Sequence, residues 1–113
     1  MATTYTVLGQ SNPAATTLTT LYAVPSATEA VVSTISVANL SASAITYRIA
    51  IRKAVAGTPE SIANKQYLVY DATLAANSTT AYTLGVTLAA ADVISVYASN
   101  TNAAFLAFGS EIA

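Results

Sequence analysis

The side chains of this sequence that could do chemistry are hydroxyls, a few lysines and scattered carboxylates. Ser and Thr are plentiful, but a nucleophile needs a base beside it, and the chain has no His and no Cys. Lys53 or Lys65 could form a Ser–Lys pair with a nearby hydroxyl. The spacing gives no support for such a pair, and we expect both lysines to lie in solvent at strand ends.

The acidic residues stand singly along the chain, at Glu29, Glu60, Asp71, Asp92 and Glu111. Carboxylates that act as acid and base come in facing pairs, and this spacing predicts no such pair. Asp71 is expected to end a strand and Asp92 to precede one, so both suit turn or cap roles. The sequence has no calcium loop, no GxGxxG and no Walker A motif. It therefore predicts a protein that is not an enzyme, with no catalytic, cofactor-binding or metal-binding residues.

Charge is scarce in this chain. Only 8% of the residues are charged, whereas an average globular domain has roughly 25%. A small monomer with so few charges has little electrostatic protection against association, so we expect much of its surface to be covered in the working state. Four Lys and Arg residues are too few for binding to nucleic acid phosphates.

The start of the chain predicts an intact translation product without a signal peptide, because Met1 is followed by the polar segment Ala2-Thr3-Thr4 rather than by a basic and then an apolar region. No apolar run approaches the roughly 20 residues that span a membrane, so we expect no membrane partner. Two glycosylation sequons begin at Asn39 and Asn77, and we interpret both as chance matches in a chain rich in Ser and Thr.

Period-two alternation and enrichment in Val, Ile, Thr and Tyr predict an all-β fold with about eight short strands. These strands are Thr3–Leu8, Leu18–Val24, Ala30–Asn39, Ala44–Lys53, Gln66–Asp71, Thr79–Val86, Val93–Ser99 and Ala103–Gly109. Strands at this spacing, with turn residues between them, indicate an antiparallel β-sandwich or a jelly roll. We expect one domain over residues 1–113, with residues 1–12 as an N-terminal arm or an edge strand.

Three further expectations concern connections. Ala30–Asn39 and Ala44–Lys53 both alternate between apolar and polar residues and are joined by a short polar link, so we expect them to form an antiparallel hairpin. Thr87–Asp92 is expected to be a loop, and Val55–Lys65 is the longest irregular stretch. Thr3–Leu8 could add to the sheet of a neighbouring molecule or form an edge of its own sandwich, and both alternatives stay open.

Seven tyrosines could form a sugar-binding platform or pack in and around the core. Tyr47 shares a face with three Ile residues and is expected in the core, with its hydroxyl at the rim. Tyr67 and Tyr70 are an odd number of positions apart, so alternation places them on opposite faces of their strand. Packing explains the tyrosines more simply than a ligand platform does.

The order of several segments carries a resemblance. These segments are Thr20–Pro25, Ala30–Asn39, Tyr47–Arg52, Tyr67–Asp71, Val93–Ser99 and Phe105–Glu111. From about Leu18 onward, the chain resembles small β-sandwich proteins and modules encoded among the structural genes of tailed bacteriophages. The resemblance implies a virion protein made in the host cytoplasm, on the capsid, neck, tail or fibres, and it implies no functional residues.

Three functions compete at this point. The first is a phage structural protein, such as a capsid-decoration or tail accessory protein, that forms a homo-oligomer and docks on other virion proteins through strand edges, the termini and an apolar patch. The second is a carbohydrate-binding module for a host surface glycan, which predicts exposed Tyr beside Asn or Asp. The third, a weak hydrolase, is the least favoured because His and Cys are missing.

Overall fold

The computed structural model of the chain describes residues 2–53 and 64–113. Within these ranges the structure has nine β-strands, one turn of 3₁₀ helix at Asn64–Gln66 and no α-helix. The strands are β1 (Thr3–Ser11), β2 (Thr19–Ala23), β3 (Glu29–Asn39), β4 (Ile45–Arg52), β5 (Tyr67–Leu74), β6 (Thr79–Tyr82), β7 (Val86–Leu88), β8 (Val93–Ala98) and β9 (Ala103–Ile112). The predicted all-β class is confirmed.

The strands form two antiparallel sheets that pack face to face as a β-sandwich. The five-stranded sheet has the order β1-β9-β3-β6, and β7 also pairs with β3, beyond the end of β6. The four-stranded sheet has the order β2-β8-β4-β5. In each sheet, alternate residues point inward, and the two inner faces together form the hydrophobic core.

The core is made of large β-branched and aromatic side chains from the middle strands of both sheets. The largest fully buried apolar side chains are Tyr47, Phe105, Ile35, Ile49, Ile94, Val32, Val37 and Val96. Tyr47 and Phe105 come from opposite sheets, and their ring centroids lie 6.3 Å apart in an edge-to-face arrangement. Such residues favour strands because their branched or planar side chains pack well on a pleated surface.

The predicted hairpin between Ala30–Asn39 and Ala44–Lys53 is wrong. β3 belongs to the five-stranded sheet and β4 to the four-stranded sheet, so the link between them crosses from one sheet to the other. Both strands alternate because each has one face on the core, and this pattern is the same for neighbours in one sheet and for strands that face each other across the core.

Asn39 fixes this crossing between the two sheets. Its buried side-chain amide lies within hydrogen-bond distance of the carbonyl oxygens of Ser43, Leu74 and Ala75, at 2.8, 3.2 and 3.1 Å. Its Oδ1 accepts from the backbone N–H and the hydroxyl of Ser41. One side chain thereby satisfies the polar backbone of two loops where no ladder can do so.

Two smaller expectations also need correction. The predicted strand Thr79–Val86 is divided into β6 and β7, and Gly85 between them has a φ of +65°. Thr87–Asp92 is not a loop throughout, because Thr87 and Leu88 belong to β7. The predicted irregular stretch Val55–Lys65 lies largely outside the described residues.

Candidate interaction surfaces

The outward side of the five-stranded sheet, called the outer face below, is the broadest regular surface of the described chain. Its register identifies the residues that point away from the core, since alternate positions on paired strands share a face. The outer face consists of Thr3, Tyr5, Val7, Gln10, Glu29, Val31, Thr34, Ser36, Ala38, Thr79, Ala81, Thr87, Ala104, Leu106, Phe108, Ser110 and Ile112.

The outer face is about half apolar, and it has almost no charge. Glu29, at the end where β3 begins, is its one charged side chain among the described residues. Tyr5 is 83% exposed and Val7 is 48% exposed, while Leu106 and Phe108 are half-buried between neighbouring strands. Depletion of charge together with aromatic enrichment marks the centres of protein–protein interfaces.

A continuous apolar run in the sequence also indicates this surface, although it does not follow the alternating pattern of the other strands. Every residue of Ala103–Phe108 is apolar, so β9 lacks the polar side expected of a strand with one face in water. Such a strand is typical of a sheet that is covered on both faces. The sequence predicts an apolar patch without identifying its residues. In the structure, apolar residues of β9 form part of such a patch.

Close approaches of the backbone at two glycines hold β1 and β9 in place. A Cβ at Gly109 would overlap the carbonyl oxygen of Val31 and lie 3.0 Å from the Cα of Val32. A Cβ at Gly9 would overlap the carbonyl oxygen of Leu21 in β2. Both glycines lie at or beside register shifts, where a bulge brings neighbouring backbones together.

A second surface lies on the outer side of the four-stranded sheet. We call it the Tyr–Arg cluster; its members are Arg48, Tyr67, Tyr70, Asp71 and Tyr97. The Arg48 guanidinium carbon lies 4.4 Å from the ring centroid of Tyr70 and 4.3 Å from that of Tyr97. The same guanidinium donates from Nε to Asp71 Oδ1 at 2.6 Å and from Nη2 to Oδ2 at 3.3 Å. This hydrogen bond, with the nearby carboxylate charge, raises the pKa of Arg48.

Tyr67 and Tyr70 lie on one side of the sheet, so the expectation that they point to opposite faces is wrong. Their ring centroids are 4.8 Å apart in an edge-to-face contact. The register of β5 with β4 shifts twice, between Tyr47 and Ile49 and between Ile49 and Ala50. These irregularities insert extra residues into β5 and interrupt its alternation. Asp71 therefore lies within β5, in a left-handed conformation with φ of 51°, and does not end the strand.

The Tyr–Arg cluster resembles a sugar platform in composition but not in access. Tyr70 is 58% exposed and is next to an exposed Asp71, which is the combination expected of a glycan site. However, Arg48 covers one ring face of Tyr70 and one ring face of Tyr97. Those faces are occupied by the guanidinium and are closed to stacking on a sugar ring.

Asp92 and Glu111 both accept hydrogen bonds. Asp92 Oδ2 accepts from the backbone N–H of Ala89 at 2.9 Å, which agrees with the turn role expected for it. Glu111 Oε2 accepts from the Tyr22 hydroxyl at 2.5 Å and so ties β9 to β2. Glu60 lies outside the described residues. The Asn39 side chain is buried and that of Asn77 is exposed, so only the second sequon is accessible in the folded chain.

Within residues 2–53 and 64–113, no group of three or more His, Cys, Asp or Glu side chains could hold a metal ion. Over the same residues, no helix is long and apolar enough to cross a membrane.

Two buried tyrosine hydroxyls should make the folded chain less stable at alkaline pH. Burial raises the pKa of Tyr22, and its hydrogen bond to Glu111 adds to the rise. Burial likewise raises the pKa of Tyr47, whose hydroxyl is hydrogen-bonded to that of Tyr82. Because both pKa values are higher in the folded chain than in the unfolded chain, their stabilising contribution is present below about pH 10 and is lost as the pH rises above it.

We expect the free energy of unfolding, measured by urea titration, to fall between pH 9 and pH 11.5. Tyr22→Phe should reduce the slope of that fall because it removes one of the two buried phenols. Tyr5→Phe is the matched control, since the Tyr5 side chain is 83% exposed. Equal slopes for wild type and Tyr22→Phe would contradict the role of this buried hydroxyl.

No family model, no curated protein and no solved structure matches the chain.

Proposed function

We propose that this protein is a non-enzymatic structural protein of a tailed-bacteriophage particle, a capsid-decoration, neck or tail accessory protein that associates with itself and with neighbouring particle proteins. The observation that carries the proposal is the outer face, a regular sheet surface with Tyr5, Val7, Leu106 and Phe108 at least partly exposed and with Glu29 as its one charged residue among those described. The resemblance of the segment order to phage β-sandwich modules supports the assignment to a phage particle.

The physical reason for association is the free energy of covering apolar surface. Each square ångström of apolar surface removed from water stabilises a complex by about 25 cal/mol before the costs of association. The outer face joins half-exposed apolar side chains on β1, β3 and β9 without charged residues in its centre. A sheet face with so little charge suits a repeating particle lattice, in which every copy meets the same neighbours.

The proposal predicts that two charges on the outer face prevent incorporation into particles. In Val31→Lys/Leu106→Lys, both substitutions lie on outward positions of different strands. We expect at least a tenfold drop in copies per purified particle, measured by quantitative mass spectrometry of the phage that encodes the chain, because an interface would have to bury two unpaired ammonium groups.

The matched control is Thr20→Lys/Thr73→Lys. It adds the same two charges at exposed positions on the outer strands of the four-stranded sheet. We expect its incorporation to equal that of the wild type. Thermal melts of both variants establish that each is folded. Equal incorporation of the two folded variants would reject the outer face as the particle-binding surface.

A carbohydrate-binding module is the second candidate, and the exposure of Tyr70 beside Asp71 favours it. The occupied ring faces in the Tyr–Arg cluster weigh against it. Binding on a glycan array that Tyr70→Ala abolishes would move the assignment from assembly to sugar recognition.

A further inference from the structure

We infer that two copies of this chain pair edge to edge through β1, about a two-fold axis that passes beside Tyr5, and so join their five-stranded sheets into one continuous sheet. The inference rests on the proposed self-association and deepens it, because it names the strand, the partner and the register. The observations that carry it are the backbone pattern of β1 and the sequence of the strand.

The backbone pattern of β1 follows from its pairing with β9. Ala2 and Ala113 exchange both backbone hydrogen bonds, each at 2.9 Å. Hydrogen-bonded and non-hydrogen-bonded pairs alternate along an antiparallel ladder, and the register runs without a shift from Thr3 to Val7. The N–H and C=O groups of Thr3, Tyr5 and Val7 therefore point away from β9, toward the open edge of the sheet.

These groups have no strand partner among the described residues, because β1 ends the strand order of its sheet. The Val7 carbonyl accepts one long side-chain contact, from the Thr6 hydroxyl at 3.4 Å. The open stretch ends near Gly9, where β1 approaches the backbone of β2. The free edge is thus a short, regular row of donors and acceptors centred on Tyr5.

The sequence of β1 does not protect this edge. Natural sheets block exposed edges with Lys, Pro, bulges or very short strands. Thr3–Ser11 has nine residues with no charge and no Pro, and its first register shift comes after Val7. The other outermost strands are interrupted: β5 and β2 have register shifts, and β6 and β7 are short and divided at Gly85.

A second copy is the partner that this edge fits best. When the β1 strands of two copies align antiparallel about Tyr5, Tyr5 of one copy pairs with Tyr5 of the other. Thr3 of each copy then pairs with Val7 of the other. All three open residues then find partners, with about six backbone hydrogen bonds. A register centred elsewhere on β1 leaves at least one open residue without a partner in the regular stretch. No charge on the strand repels its copy.

Single-cysteine crosslinking tests the register directly, since the chain has no Cys. In the inferred pairing, the two Tyr5 Cα atoms lie about 5.5 Å apart, which is within the range of a disulfide. Under mild oxidation at low micromolar concentration, Tyr5→Cys should form a covalent dimer of twice the 11.5 kDa chain mass. Thr73→Cys, an exposed position on β5 in the four-stranded sheet, is the matched control and should stay monomeric.

A mixture of variants reads the register further. Thr3→Cys and Val7→Cys should crosslink to each other when mixed. Each should crosslink poorly alone, because its own copy would lie about 14 Å away along the strand. Absence of a Tyr5→Cys dimer, or equal crosslinking of Tyr5→Cys and Thr73→Cys, would overturn the inference.

Tyr5→Pro and Tyr5→Val provide an independent test by sedimentation velocity. Both remove the phenol, but only Pro removes the N–H that points to the open edge, and β1 keeps its bonds to β9 in both. We expect Tyr5→Pro to raise the dimer dissociation constant at least tenfold over that of Tyr5→Val, while circular dichroism shows both folded. Equal dissociation constants would overturn the inference. A crosslinked dimer that is missing from particles would reject the proposed virion role and leave the dimer standing.

Discussion

Gly109→Ala should strongly destabilise this domain. The added Cβ would overlap the carbonyl oxygen of Val31 and lie 2.9 Å from its carbonyl carbon. These are backbone atoms of β3, the strand that pairs with β6, β7 and β9, so they cannot move without breaking ladder hydrogen bonds. We expect the free energy of unfolding, measured by urea denaturation, to drop by about 3 kcal/mol, at the upper end of overpacking costs.

Gly85→Ala is the matched control for Gly109→Ala. Gly85 has a φ of +65°, and a Cβ there would have no atom within 4 Å. The cost is then the left-handed conformation alone, about 1 kcal/mol. If Gly109→Ala were no more destabilising than Gly85→Ala, the close contact between β9 and β3 would be refuted.

Asn39→Asp should strongly destabilise the fold, although the two side chains have nearly the same shape. The substituted side chain keeps the oxygen that accepts from Ser41, but a carboxylate oxygen replaces the amide that lies against the carbonyl oxygens of Ser43, Leu74 and Ala75. Buried acceptors lose their donor and face a negative charge. We expect a loss of about 3 kcal/mol in the free energy of unfolding at pH 7, measured by urea denaturation.

Asn77→Asp makes the same chemical change at an exposed turn position, and we expect it to alter the free energy of unfolding by about 0.5 kcal/mol or less. The loss in Asn39→Asp, taken relative to wild type, should shrink at pH 4, where protonation of the introduced carboxylate restores one donor. A loss at residue 39 as small as that at residue 77 would contradict the role of Asn39 in fixing the crossing between sheets.

Much of this fold could be predicted from alternation. The Ala44–Lys53 pattern correctly places Tyr47 and Ile49 in the core and Arg48 outside it, but its placement of Ala50 and Arg52 on the solvent face is wrong, because both are buried. Alternation reports which residues share a face, because side chains of a strand point alternately to its two sides. The sandwich class follows from many such strands with turns between them.

Strand partners could not be predicted from the same pattern. β3 and β4 each have one face on the core, and their sequences are compatible with pairing and with crossing. Asn39 stabilises the crossing, because its amide lies within hydrogen-bond distance of the carbonyl oxygens of Leu74 and Ala75, 35 and 36 residues further along the chain. The bulges of β5, which put Tyr67 beside Tyr70, also depend on pairing with β4 and leave no mark in local alternation.

The two candidate surfaces also differ in how far the sequence predicts them. The scarcity of charge and the apolar run Ala103–Phe108 are present in the sequence and predict a covered sheet face. The Arg48–Asp71 ion pair and its stacking on Tyr70 and Tyr97 join strands β4, β5 and β8. These contacts depend on how the three strands are aligned with one another, and the sequence of one strand does not predict that alignment.

Under the proposed function a tailed phage encodes the chain, and electron cryo-microscopy of that phage's purified particles tests the central claim most directly. The account predicts density for this β-sandwich on the particle, with the outer face and its residues Leu106 and Phe108 against a neighbouring protein. Particles that lack the chain, or a bound chain whose outer face is open to solvent while the Tyr–Arg cluster makes the contact, would contradict it.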